Sequence, residues 1–166
     1  IASIGTEKRQ IVSYEELPQV LIDAIVATED SRFFEHEGFD IYRFMKAGVG
    51  FLKGEDAGGA STLTMQLSKN TYTSTNAKGF DGIVRKFTDI YMSIFKIEKD
   101  YSKEQIIEFY VNAPYLGAGS YGVQMASRTY FDKDIDEREV QESFNFDLIR
   151  DVLPKVEIFT KEELEV

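Results

Sequence analysis

Apolar residues in the first third of the chain recur at the spacing of α-helices. The positions from Leu17 to Ile25 repeat every three or four residues, which predicts a helix from Ser13 to about Glu29-Asp30. A polar and aromatic turn follows. A second helix is then predicted from Asp40, its N-cap, to about Gly54, with apolar positions at Ile41, Phe44, Gly48 and Leu52.

Glycines and polar residues interrupt this pattern in the middle of the chain. Gly58-Gly59 indicates a loop, and Ser61 is placed to cap a short helix in which Leu63 and Leu67 point inward. The other face of this helix carries Thr62, Gln66 and Lys69. Residues 71–82 are polar and have no apolar periodicity, so they predict an exposed, mobile loop.

The longest helical pattern comes next. Its apolar stripe is typical of a half-buried helix and consists of Ile83, Phe87, Ile90, Ile94 and Ile97. A capping-box sequence at Ser102 to Gln105 then begins a helix through Tyr110, which the glycines at 117, 119 and 122 end. Further helices are predicted at about Val123 to Tyr130, at Asp147 to Val152, and at the capping sequence Thr160-x-x-Glu163.

The balance of these elements predicts a mainly α fold. Strands are expected only within Ile1 to Val12 and in short pieces near the glycine turns. A length of 166 residues with 43% hydrophobic content suits one core, so residues 1–166 are interpreted as one domain.

Charge and cysteine content exclude several classes of function. A net charge of -10 argues against nucleic-acid binding, which requires a basic face toward the phosphates. An anionic substrate would have to meet a local group of basic residues, and such a group lies between Lys69 and Lys86. The absence of cysteine excludes disulfides, thiolate metal sites and a cysteine nucleophile.

The sequence contains no membrane-spanning or signal segment. No run of about 18 apolar residues occurs, and the start at Ile1 lacks the charged and apolar regions of a signal peptide. We therefore expect the chain to be part of a longer protein whose targeting or anchoring segment lies outside this sequence.

Glu29-Asp30 is the first candidate for chemistry. It ends an apolar helix and precedes Phe33 and Phe34, and a carboxylate beside aromatic rings is partly desolvated, which raises its pKa and suits proton transfer. The alternative is an acidic helix end beside core phenylalanines. His36 is the only histidine, which excludes a histidine-based triad; we interpret it as a structural hydrogen-bonding group rather than a proton shuttle.

Two further segments could bind an anion. The stretch from Gly58 to Asn70 combines a flexible turn, a helix N-terminus and a face of hydroxyl, amide and ammonium groups, although a capped amphipathic helix would look the same. Arg85-Lys86 and Asp89 place two cations and an acid on neighbouring helical turns. They could bind a diphosphate, or they could be an exposed ion pair that contributes only ~0.3–0.5 kcal/mol.

Four segments occur in the order and form of four signatures of one family: Glu29-Asp30-x-x-Phe33-x-x-His36-x-Gly38, Gly59-Ala60-Ser61-Thr62-Leu63-Thr64-x-Gln66-Leu67-x-Lys69-Asn70, Arg85-Lys86-x-x-Asp89, and Ile107-Glu108-x-Tyr110-x-Asn112 followed by Gly117 and Tyr121-Gly122-Val123. They resemble the family 51 glycosyltransferases, which comprise the transglycosylase domains of class A penicillin-binding proteins and the monofunctional enzymes. The resemblance covers roughly residues 1–135, and four motifs in order are far more specific than one.

The chain departs from the family pattern at three places. The third signature ordinarily ends in Glu, where this chain has Asp89. Tyr130-Phe131 is ordinarily followed by Gly-Lys, but here by Asp132-Lys133. The alanine- and leucine-rich helix that the family has next is not recognisable after Val140, which predicts a deleted or missing segment near residues 142–146.

The resemblance implies a lysozyme-like, mainly α domain with a smaller flexible part near the membrane. It also implies an inverting transfer that joins the 4-hydroxyl of lipid II to a growing lipid-linked glycan, with release of undecaprenyl diphosphate. The catalytic residues expected on this basis are Glu29, the base, and Asp89, which orients the cations or helps to hold a metal ion. The expected substrate-binding residues are Asp30, Ser61, Gln66, Lys69, Arg85 and Lys86.

Location and partners follow from the same resemblance. The expected partners are lipid II, the growing glycan, the membrane surface on the extracytoplasmic side of a bacterial cell, and other cell-wall synthesis proteins. A divalent Mg²⁺ or Mn²⁺ would suit a diphosphate, but the sequence does not establish metal dependence. Two alternatives stay open: a lysozyme-like glycan hydrolase, and a non-catalytic module that binds lipid II or another cell-wall component.

Overall fold

The fold is mainly α, as predicted. The computed structural model describes residues 8–54, 59–72 and 79–137. The elements, in chain order, are β1 (Lys8–Arg9), a 3₁₀ turn (Tyr14–Glu16), α1 (Gln19–Glu29), α2 (Ile41–Lys53), α3 (Leu63–Thr71), α4 (Gly79–Met92), a π-helical segment (Ser93–Ile97), α5 (Glu98–Asp100), α6 (Lys103–Asn112), β2 (Ser120–Tyr121) and α7 (Val123–Phe131). Several predicted features lie partly or wholly outside the described residues: residues 1–7 of the strand region Ile1 to Val12, residues 73–78 of the loop at 71–82, the segment at 142–146 and both C-terminal helices.

The chain divides into two compact units. The first comprises Ile1–Thr28 with Val111–Val166, and the second comprises Glu29–Tyr110. Every residue predicted to act in catalysis or substrate binding lies in the second unit.

In the first unit, two short strands and one asparagine join segments that are distant in sequence. β1 pairs in parallel with β2, which confirms a strand near the glycine turns. The Asn112 side chain accepts from the Val12 backbone N–H at 3.0 Å and donates to the Val12 carbonyl at 2.8 Å. Gly122, at φ 78°, passes so near Asn112 that a Cβ would lie 3.0 Å from the Asn112 carbonyl oxygen. A side chain at position 122 would therefore disturb this junction.

The predicted helix from Ser13 is two separate pieces. The 3₁₀ turn ends at Leu17, whose extended conformation (φ −75°, ψ 134°) is the one that a following proline imposes. α1 then begins after Pro18, whose carbonyl accepts from the N–H groups of Leu21 and Ile22. The apolar spacing runs across this break, so periodicity alone made the helix too long.

The core of the second unit is built around α3. Leu63, Met65 and Leu67 are buried, and so are the polar Thr64 and Ser68 on the same short helix. Other described residues complete this core: Phe33, Ile97, Ile106 and Ile107. A helix buried on several sides provides a rigid support for the side chains that leave it.

The apolar faces of α2 and α4 are largely exposed, although the pattern of the long helix predicted a half-buried stripe. Leu52 on α2 is 85% exposed, and Ile83 and Phe87 on α4 are 56% and 68% exposed. Only the C-terminal end of the long stripe is buried, at Ile97. The prediction of a half-buried stripe is therefore wrong for its first half, because periodicity identifies an apolar face but not what covers it.

Two predicted helix starts are confirmed, and two further ones are corrected. The Asp40 carboxylate accepts from the Arg43 N–H at the start of α2, and Ser102 and Gln105 form the predicted capping box at the start of α6. Ser61 is not the cap of α3; Thr62 is, because its hydroxyl accepts from Met65 N–H at 3.1 Å. α4 begins at Gly79, so residues 79–82 are helical and do not belong to the predicted loop.

The π-helical segment brings two acids to the same neighbouring helix. Residues nine positions apart are two and a half turns apart in a regular α-helix and point in opposite directions. The wider turns at Ser93–Ile97 change this register. As a result Asp89 and Glu98 both contact α3, through Ser68 at 3.4 Å and Thr64 at 2.6 Å.

Candidate active site

Glu29, the predicted base, is held at both its backbone and its side chain. Its carbonyl accepts from Arg43 Nη1 at 2.7 Å, which fixes the C-terminal end of α1. Its carboxylate Oε2 accepts from Gln66 Nε2 at 2.8 Å. Gln66 lies on α3 and in turn accepts from the Tyr110 hydroxyl of α6 at 3.3 Å. Three helices therefore determine where this partly exposed carboxylate lies.

Asp30, next to Glu29, is fully buried and fully engaged. Its carboxylate contacts His36 Nε2 at 3.0 and 3.1 Å, accepts from Leu63 N–H at 3.0 Å, and lies 3.6 Å from Arg43 Nη1. With 0% of its side chain exposed, Asp30 has no surface for a ligand. Its position favours a role in holding Glu29 and the start of α3 over the direct substrate contact predicted from the sequence.

These contacts also occupy the N-terminus of α3, which the sequence marked as a candidate anion site. The Asp30 carboxylate accepts a hydrogen bond from the Leu63 N–H, and the Thr62 hydroxyl accepts one from the Met65 N–H. The positive end of this helix is therefore already neutralised by an internal acid. The structure also places His36 as a hydrogen-bonding residue of this turn, bound to Asp30.

A network behind the turn keeps it in place. Lys103 Nζ donates to the His36 carbonyl at 2.6 Å and to Glu98 at 2.9 Å, and it lies 4.3 Å from the centre of the Phe33 ring. Glu98 also accepts from the Thr64 hydroxyl. The network leaves no room for a side chain at Gly38, because a Cβ there would lie 2.8 Å from the backbone of Ser93.

Lys69, Arg85 and Lys86 form a group of positive charges, here called the cation cluster. Arg85 Nη1 donates to Asp89 at 2.8 Å, and Lys86 Nζ donates to the Ser61 hydroxyl at 2.6 Å. The pKa of Lys86 is lowered chiefly by burial, with Arg85 and Lys69 lowering it further and Asp89 opposing them. Since nearby charges produce these effects, the three cations and Asp89 are near one another.

Asp89 is buried and accepts from both Arg85 and the Ser68 hydroxyl. This position favours bracing of the cations over contact with a reacting sugar. Within the described residues, no group of three or more His, Cys, Asp or Glu side chains could hold a metal ion. The contacts of Asp89 with Arg85 and Ser68 come from a cation and a hydroxyl, which do not fit a site where protein ligands alone bind Mg²⁺ or Mn²⁺.

The structure adds residues that the sequence did not single out. Arg43, Glu98 and Lys103 hold the turn that follows Glu29, and Tyr110 contacts Gln66. Tyr110 was part of the fourth signature, but no role was assigned to it. No sequence motif indicates Arg43 or Lys103, because each donates a hydrogen bond to a backbone carbonyl that is far away in sequence.

Comparison with known proteins establishes the class of this chain. A family model described as transglycosylase matches residues 1–149. The chain therefore belongs to the transglycosylase family, as the four signatures predicted.

Its relatives are penicillin-binding proteins. The chain is 41% identical over 138 residues to penicillin-binding protein 1A of Vibrio cholerae serotype O1, which covers 82% of the chain and 16% of that protein. It is 40% identical over 143 residues to penicillin-binding protein 1F of Bacillus subtilis, a match that covers 86% of the chain and 19% of that protein. It is 37% identical over 143 residues to penicillin-binding protein 1A of Escherichia coli, which covers 86% of the chain and 16% of that protein. The chain thus matches less than a fifth of the length of these relatives. In the part of the chain that the structure describes, no helix is sufficiently long and apolar to span a membrane.

Proposed function

We propose that this chain is the part of a peptidoglycan glycosyltransferase that polymerises lipid II at the outer face of a bacterial membrane. The observation that carries the proposal is the combination, within residues 29–110, of one oriented carboxylate and one cluster of cations. Transfer of a sugar from a lipid diphosphate needs both a group that accepts a proton and groups that stabilise the departing diphosphate.

Glu29 is the general base in this proposal. It removes the proton from the 4-hydroxyl of the acceptor sugar while that oxygen bonds to the anomeric carbon of the growing chain. The bond from this carbon to the lipid diphosphate breaks, and the proton remains on Glu29. The Gln66 N–H that points at the Glu29 carboxylate supports this role, because such a donor suits a group that works in its ionised form.

The cation cluster stabilises the departing diphosphate. Lys69, Arg85 and Lys86 provide three positive charges, and the nearby Asp89 braces Arg85 through a 2.8 Å contact. Ser61 holds Lys86 and Gln66 holds Glu29, so these two residues act as positioning groups. A divalent ion, if the reaction uses one, would be bound mainly by diphosphate oxygens, because the described protein groups offer no ready ligand set.

The exposed apolar faces of α2 and α4 contact the lipid surface in this proposal. Exposed apolar side chains occur along both helices, and they include Ile41, Met45, Val49, Leu52, Phe80, Ile83, Val84 and Phe87. An amphipathic helix with an uncovered apolar face is suited to lie in the interfacial region of a bilayer. Such contact would bring the site to a substrate whose lipid tail stays in the membrane.

Incubation of the full-length protein with labelled lipid II, with and without moenomycin, tests the proposed function. Elongated glycan that moenomycin suppresses is the expected product. A parallel incubation with preformed glycan tests for a hydrolase, which would shorten that glycan. Binding of lipid II without any product would indicate a non-catalytic module.

A further inference from the structure

We infer that Tyr110 is a positioning residue, which acts through Gln66 to hold the Glu29 carboxylate in the orientation that its reaction needs. The inference deepens the proposed function and rests on the assignment of Glu29 as the base. It comes from a continuous set of contacts: the Tyr110 hydroxyl donates to Gln66 Oε1 at 3.3 Å, and Gln66 Nε2 donates to Glu29 Oε2 at 2.8 Å.

The amide of Gln66 can support Glu29 only in one orientation. An ionised carboxylate accepts hydrogen bonds but cannot donate them, so the NH₂ side of the amide must face Glu29. The carbonyl oxygen then faces Tyr110, whose hydroxyl is the donor it requires. A glutamine side chain has several rotatable bonds and a terminal torsion with broad preferences, so contacts at both ends of the amide are needed to fix it.

Tyr110 is well suited to be the fixed end of this arrangement. It lies on α6, which begins at a capping box and buries Ile106 and Ile107 completely. Lys103, in the first turn of the same helix, is tied to the His36 carbonyl and to Glu98. Side chains carried by a packed helix are held more accurately than side chains carried by a loop.

The hydroxyl of Tyr110 also keeps its proton. Burial, and secondarily the charge of Glu29, raise the pKa of Tyr110 to about 12. The phenol therefore remains a hydrogen-bond donor at any pH at which the enzyme would work. It does not exchange a proton with Glu29, which it reaches only through the amide.

The test uses kinetics of lipid II polymerisation by the full-length protein with Tyr110→Phe, Gln66→Ala, the double variant and Glu29→Gln. Tyr110→Phe keeps the ring and removes only the hydroxyl. We expect kcat to fall roughly tenfold, with the KM for lipid II and the melting temperature nearly unchanged, because a small displacement of a reacting group is costly. The matched control is Tyr101→Phe, since the Tyr101 ring packs edge-on against Phe109, away from this set of contacts.

The double variant decides whether Tyr110 acts through Gln66. We expect Gln66→Ala to lower kcat further, and the double variant to equal Gln66→Ala alone. If the fold-reductions in kcat of the two single variants multiply in the double variant, the inference is overturned, because Tyr110 would then act independently of Gln66. A raised KM with unchanged kcat in Tyr110→Phe would overturn it too, since it would indicate substrate contact.

The outcome for Glu29→Gln separates this inference from the proposed function. If Glu29→Gln is inactive and Tyr110→Phe behaves as wild type, the inference is wrong and the proposed base stands. If Glu29→Gln retains activity, the assignment of the base is wrong, and the inference falls with it.

Discussion

The negative charge of Asp30 is compensated by protein groups, whereas the positive charges of the cation cluster repel one another. Asp30 is fully buried, and its carboxylate is met by His36, a backbone N–H and Arg43. In the cation cluster, three positive side chains lie near one another and near Asp89, and the pKa of Lys86 is lowered by burial and by repulsion from Arg85 and Lys69. In the first arrangement protein groups meet the charge of the carboxylate, and this provides rigidity. The second gains stability when an anion arrives, so the comparison separates a region that positions from a region that binds.

The largest effect on turnover is expected at Glu29, the proposed base. Glu29→Gln keeps the size of the side chain but cannot accept a proton, so polymerisation should fall by about 10²–10⁴-fold. The melting temperature should stay near that of the wild type, because Glu29 is partly exposed. Turnover near the wild-type rate would remove Glu29 from the role of base.

In the cation cluster, loss of a charge should weaken binding. Lys69→Ala and Arg85→Ala should each reduce affinity for the lipid diphosphate, and for moenomycin, by about 10–100-fold, the value of one or two charge-assisted hydrogen bonds. Equilibrium binding measurements with both ligands check this. Unchanged affinities combined with lower melting temperatures would mean that these residues are structural.

The exposed apolar faces allow a test of the proposed contact with lipid. Leu52→Asp or Phe87→Asp should reduce co-sedimentation with phospholipid vesicles by roughly tenfold, because each removes one large apolar side chain from the proposed lipid contact. Phe131→Asp is the control, since Phe131 is also exposed but belongs to neither apolar face. An equal loss of co-sedimentation in all three variants would show that the apolar faces of α2 and α4 do not form the lipid contact.

The lowered pKa of Lys86 gives the cluster a pH dependence. A bound diphosphate favours the charged ammonium, so it raises this pKa, and binding takes up a proton. Affinity should therefore be full below the lowered pKa and fall several-fold as pH rises through it. Isothermal titration of lipid diphosphate at several pH values measures the effect. Lys86→Arg should flatten the alkaline fall, because arginine stays charged; an identical pH profile in that variant would contradict the assignment.

The smallest effect is expected at Asp89. If this residue only braces Arg85, a carboxylate of either length is sufficient, and Asp89→Glu should change turnover by less than about threefold. Asp89→Asn, which removes the charge, should weaken diphosphate binding more. A tenfold or larger rise in turnover for Asp89→Glu at equal stability would instead indicate that the acid must reach the sugars.

The sequence predicted the helices well because their ends carry local signals. Asp40 and the capping box at Ser102 mark helix starts through contacts with residues only three positions away. Pro18 is such a signal too, because it restricts the residue before it, and the apolar spacing that runs across it concealed the break. The exposure of Leu52 could not be predicted, since an apolar face looks the same whether protein or lipid covers it.

The candidate site was predictable only as a set of motifs. The four signatures contain the candidate side chains but not their contacts, and the structure brings Glu29 to Gln66 and Lys86 to Ser61. The links through Arg43 and Lys103 depend on backbone carbonyls far away in sequence, which no local pattern reveals. The near approach of Asp89 and Glu98 to one helix depends on a π-helical segment, which no local residue pattern indicates.

The separation of positioning from binding is tested most directly by measuring lipid II affinity and turnover together, in the same preparations of Glu29→Gln and Arg85→Ala. For Glu29→Gln we predict wild-type affinity with turnover reduced by about 10²-fold or more. For Arg85→Ala we predict affinity reduced by about 10–100-fold. A Glu29→Gln variant that loses affinity as much as turnover, or an Arg85→Ala variant that binds lipid II as the wild type does, would contradict the account.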